Sequence, residues 1–143
     1  MDTSRQDFMR SLGLLILRVG IGGYMMTHGW GKLQMVLDGN LDTFGDPVGL
    51  GSSTSLILAT GAEFFCALLV VIGLGTRYAA MPVVFTMGVA AFLIHRNDPW
   101  TMGPGLSKEP ALLFLIPFLA LIFTGAGRFS LDALIKRRRG RKS

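Results

Sequence analysis

Four long apolar runs, separated by short polar connections, predict four membrane-spanning helices over about 12–33, 54–74, 78–95 and 110–125. A helix rises about 1.5 Å per residue, so roughly twenty apolar residues cross the hydrocarbon core of a bilayer. The fourth run is the shortest, and Pro117 in its middle predicts a kink or a backbone carbonyl freed for a neighbour. Pro82 falls in the first turn of the third run, where a missing N–H costs little. Pro110 opens the fourth run, with Ser107 or Glu109 placed to cap it. Beyond Thr124, GAGRFSLDALI leaves the membrane, and Ser130 is placed to cap a short interfacial helix before the basic tail, which lies within 128–143.

The polar segments carry their own signals. MDTSRQDFMRS resembles a signal-peptide leader, but the run behind it is too long, contains Arg18 and lacks a small-x-small cleavage site, which predicts a retained first span. The loop LQMVLDGNLDTFGDPVGLGSS holds Asp38, Asp42 and Asp46. Its DGNLDT stretch spaces oxygens as a calcium loop does, but Thr43 stands where glycine is needed and Gly49 where a bidentate Glu is needed. A solvated acidic loop is the better expectation.

Composition turns the pattern into a class. Of 143 residues, 50% are apolar and 16% charged, against roughly 25% charged in soluble domains. With a mean hydropathy of +0.50, this describes an integral membrane protein: an all-α four-helix bundle forming one transmembrane domain over 1–143. The net charge of +5 is concentrated in the tail, where Lys136, Arg137, Arg138, Arg139, Arg141 and Lys142 cluster. Beside a span, such a tail fixes topology and touches anionic lipid, so nucleic acid is not an expected partner. Arg5, Arg10, Arg77 and the tail place both termini in the cytoplasm, and Trp30 and Trp100 at the outer interface. A single cysteine, Cys66, excludes an intrachain disulfide and a dithiol redox pair.

Ionisable side chains inside the spans are the candidate chemistry, because burying a charge in lipid is costly and is usually functional or paired. Arg18 enters span one from the inner side, and Glu63 lies near the middle of span two. The two are expected to pair, either as a structural ion pair or as a proton-accepting or ligand-binding carboxylate held by arginine; snorkelling of Arg18 to the inner headgroups is a further bland alternative. His28 and Lys32, four residues apart on one helical face, join His95 of span three in the outer third of the bilayer. Imidazole beside a cation suits a quinone carbonyl or a proton relay; the bland alternative is that Lys32 and Arg96 snorkel to outer headgroups and the histidines merely sit in the interface. His28 and His95 could also ligate haem b, but only two residues need coincide for that, and it is not the favoured reading. Glu63 is expected to lie too deep to complete a metal site with the histidines. No catalytic residue is assigned.

LGLLILRVGIGGYMMTHGWGKL, then Glu63, then GLGTR and finally GAGRFSLD resemble the DoxX-like family in order and spacing, from about Leu12 to Asp132. The acidic loop at 38–52 and the basic tail lie outside the resemblance. It implies a multi-pass four-helix protein of the bacterial inner membrane, with relatives that include a subunit of a thiosulfate:quinone oxidoreductase and a membrane component of an oxidative-stress-linked redox complex. It also places Arg18, His28, Lys32 and Glu63 at the family's polar positions. The expected function is the membrane subunit of a quinone-linked oxidoreductase, working with a redox partner protein or as a homo-oligomer in the bilayer. The rival is a non-catalytic scaffold or small carrier.

Overall fold

The computed structural model describes residues 3–140; the last charges of the basic tail, Arg141 and Lys142, lie outside the described residues. Among these residues five helices of ten residues or more follow in order: α1 (Thr3–Leu37), α2 (Ser52–Ile72), α3 (Thr76–Ile94), α4 (Glu109–Thr124) and α5 (Leu131–Gly140). The first four run up and down as a helical membrane bundle. By length and composition α1, α2 and α3 can cross a membrane; α4, at 16 residues, rises only about 24 Å. Large apolar side chains such as Ile16, Tyr24, Phe65, Tyr78 and Phe85 point outward, a pattern suited to lipid rather than water.

α1 packs along α2, α3 packs against α4, and α4 closes the ring on α1. Met25, Val70, Val83, Phe118 and Leu121 are fully buried between the helices. Small residues fill the remaining contacts: Ala59, Ala62, Ala67, Ala80 and Ala91 are buried and let backbones approach.

α1 is much longer than the 12–33 span. Nothing in the polar segment 3–11 breaks a helix, so each added residue gains a backbone hydrogen bond and the helix continues out of the apolar run. At its other end it closes through the Gly39 and Asn40 amides, which donate to the carbonyls of Val36 and Met35. Because α3 begins at Thr76, Pro82 lies inside the helix rather than in its first turn. No side chain caps α4; the Glu109 carboxylate instead accepts from the Met102 amide in the preceding loop. Ser130 does cap α5, accepting from the Ala133 amide at 3.2 Å.

One end of the bundle is tied by Arg18, which is fully buried. Its guanidinium donates to the carbonyls of Val70 (3.1 Å) and Val71 (2.9 Å) in the last turn of α2, and to the carbonyl of Phe129. A cation there meets the negative end of the α2 dipole and satisfies carbonyls the helix leaves open. Across the turn, Asp132 accepts from the amides of Gly75 and Thr76 at the start of α3. Gly73, which ends α2, has φ +75°, and a Cβ there would collide with the Arg18 guanidinium. GLGTR and GAGRFSLD are therefore the two halves of one lock around Arg18.

Candidate functional site

At the other end, α1 and α2 meet at Gly29. A Cβ on this residue would fall 2.6 Å from backbone atoms of Glu63 and Phe64, so only glycine permits the approach. Along α2 the stretch Gly61–Cys66 winds as a π-helix, and Glu63 sits within it. A second π segment, Ala90–Ile94, ends α3 immediately before His95. Such wide turns redirect side chains and recur at functional sites; here both deliver an ionisable group to the same space.

That space is a cavity of about 610 Å³ between α1, α2, α3 and α4. His28, Lys32, Glu63 and His95 all line it, against walls that are otherwise mostly apolar. Met25, His28 and Lys32 recur at helical spacing along the wall given by α1. Lys32 Nζ donates to Glu63 Oε2 at 2.5 Å, the lysine side chain 23% exposed and the carboxylate 4%. His95 Nδ1 lies 2.7 Å from Asp98 Oδ2; a proton on Nδ1 then leaves Nε2 as an acceptor. The His28 ring stands edge-on to Phe114, centroids 5.2 Å apart, and its nitrogens have no hydrogen-bond partner among the described residues.

The expected Arg18–Glu63 pair does not form. Arg18 and Gly29 are eleven residues apart on α1, about 16 Å of rise, and it is Gly29 that faces Glu63. Counting depth from the ends of the apolar runs misplaced the carboxylate, because helix register is set by close packing at Gly29. The same correction applies to the depth argument against a metal site, since Glu63 shares the cavity with both histidines. Among the described residues, however, no three His, Cys, Asp or Glu side chains are grouped to hold a metal ion.

The segment 38–51 keeps its aspartates exposed, as expected of a solvated acidic loop, and it also covers the cavity. Phe44, Pro47, Val48 and Leu50 roof the cavity. Asp46 accepts from the amides of Leu50 and Gly51, both at 2.9 Å, and from the Ser55 hydroxyl, while Asp42 accepts from Ser53. The Gly51 amide foremost, then Ser55 and Leu50, hold the Asp46 carboxyl below its ordinary range. The sequence signal was available: apolar residues alternating with the aspartates are out of place in a loop that faces only water. In the connection between α3 and α4, Lys108 is buried, donating to the carbonyls of Arg96 and Asp98 and lying 5.1 Å from the Trp100 ring centre.

Residues 13–96 match the model of the DoxX family. The chain belongs to the DoxX family. The matched region holds Arg18, Gly29, Glu63 and Gly73, so it contains both ends of the α1–α2 pairing. Two proteins of Haemophilus influenzae described as uncharacterized are similar to this DoxX-family chain. One is 34% identical over 80 residues, 56% of this chain and 52% of the relative, so the chain matches about half that relative's length. The other is 29% identical over 124 residues, covering 83% of this chain and 87% of the relative. No solved structure matches.

Proposed function

We propose that this DoxX-family protein is the membrane subunit of a quinone-linked redox system, residing in the bacterial inner membrane with both termini cytoplasmic. The observation that carries the reading is the cavity itself: apolar walls with an imidazole, His28, whose nitrogens have no hydrogen-bond partner among the described residues, beside the Lys32–Glu63 pair. A quinone headgroup asks for this combination of apolar contact and a few hydrogen-bonding groups at its carbonyls. Quinone would supply two-electron, two-proton carrier chemistry. His28 and Lys32 would donate to its carbonyl oxygens, Glu63 would hold Lys32 in position, and His95 with Asp98 would offer a proton acceptor at the rim.

Electrons would come from a partner protein, since one cysteine supports neither an iron–sulfur cluster nor a dithiol. Arg10, Arg77 and Arg128 belong to the Arg18 end of the bundle, which supports assigning that end to the cytoplasm.

The test is quinone bound to protein purified in mild detergent, wild type beside His28→Ala. Quinone retained by wild type and lost from the variant is the expected result. A well-folded wild type that neither retains nor rebinds quinone overturns the reading in favour of a scaffold.

A further inference from the structure

A second groove, of about 780 Å³, opens at the Arg18 end between α1 and the C-terminus of α4. Its α1 wall is one stripe: Asp7, Arg10, Leu14 and Leu17 follow at spacings of three and four and so share a face. The opposite wall is Phe123, Thr124 and Arg128. Both walls are charged at the rim and apolar towards the bundle centre, the order in which a phospholipid presents headgroup and acyl chain. The walls are also fastened together. Phe8 stacks edge-on against Phe129 at 5.6 Å, the Arg128 amide donates to the Ser11 hydroxyl, and Gly127 lies against Leu14.

The rim charges are uncommitted. Among the described residues neither the Arg10 nor the Arg128 guanidinium has a partner, and Asp7 pairs with neither of them. Two cations and one anion complement a headgroup that carries a phosphate and a primary ammonium. Arginine binds phosphate through paired N–H donors, and a carboxylate accepts from an ammonium N–H. A choline headgroup offers no such hydrogen, and a glycerol headgroup no positive charge.

We propose that this groove binds one phosphatidylethanolamine molecule from the adjoining leaflet, its phosphate between Arg10 and Arg128 and its ammonium on Asp7. The site is independent of the quinone reading.

Native mass spectrometry of the full chain in detergent, titrated with phosphatidylethanolamine, phosphatidylcholine and phosphatidylglycerol, tests it. Wild type should favour phosphatidylethanolamine. R10Q/R128Q should weaken retention of every lipid by roughly tenfold or more, as expected for lost charge-assisted contacts. D7N should abolish the preference for ethanolamine over choline while leaving phosphate-dependent binding. Should the double arginine variant not fold, Gly13→Phe serves instead, because Gly13 lines the groove and a Cβ there meets nothing within 4 Å. It should displace the lipid with all charges intact. Equal retention by wild type and R10Q/R128Q overturns the proposal, as does unchanged retention by folded Gly13→Phe. Displacement of the lipid by millimolar inorganic phosphate alone would mark a free-anion site and overturn it as well.

Discussion

Lys32 and Glu63, one on each of two antiparallel helices, form an ion pair at 2.5 Å inside the wall of an apolar cavity. The carboxylate is the more deeply buried partner, so the two residues are not equivalent to mutation. Lys32→Met strands a buried negative charge and should destabilise the protein by about 3 kcal/mol or more. Glu63→Gln leaves a lysine that still reaches solvent and should cost clearly less. Thermal unfolding in detergent checks this ranking, and equal losses would contradict it.

Gly29→Ala should be disruptive although it adds one methyl group. The new Cβ meets the Glu63 and Phe64 backbone rather than a movable side chain, so α1 must shift away from α2. Overpacking of this kind costs about 1–3 kcal/mol. If the proposed quinone site is right, loss of quinone retention should accompany the lowered Tm, whereas Gly31→Ala, in open space on the same helix, should change neither.

Arg18→Lys is not a conservative change here. One ammonium cannot span the carbonyls of both α2 and the Phe129 segment as the forked guanidinium does. Each lost bond to a charged donor is worth about 1.5–3 kcal/mol, so Arg18→Lys should lower the Tm substantially and Arg18→Ala more. A thermal scan of both variants against wild type reads this directly.

Asp46 ties the cavity roof to the start of α2, and its carboxyl is held below the ordinary aspartate value of 3.8, chiefly by the Gly51 amide. A folded-state value below the unfolded one means stabilisation present above pH 3.8 and lost as pH falls through the lower folded value. The Tm advantage of wild type over Asp46→Asn should therefore be constant near neutrality and disappear only in acid below that point. An advantage already fading near pH 6 would contradict it.

Much of the bundle was legible because hydropathy is a local property of the chain. The apolar runs marked the four helices, and Ser130 marked the start of α5, since a cap depends only on residues three apart. His28, Lys32 and His95 were identifiable as cavity residues because each is an ionisable group close to the same end of an apolar run. Asp46 is exposed, as expected of a solvated acidic loop, but its bonds to the start of α2 were not legible because they join segments that only folding brings together.

The sequence by itself determined that this is a helical membrane protein and which side chains are too polar to lie idle inside it. Only the tertiary structure decided their partners. Glu63 faces Lys32 rather than Arg18 because a close approach at Gly29 and a π turn at Gly61–Cys66 set the register between α1 and α2. Neither leaves a trace in periodicity or hydropathy: both depend on which backbones touch, and that is a property of the packed helices together.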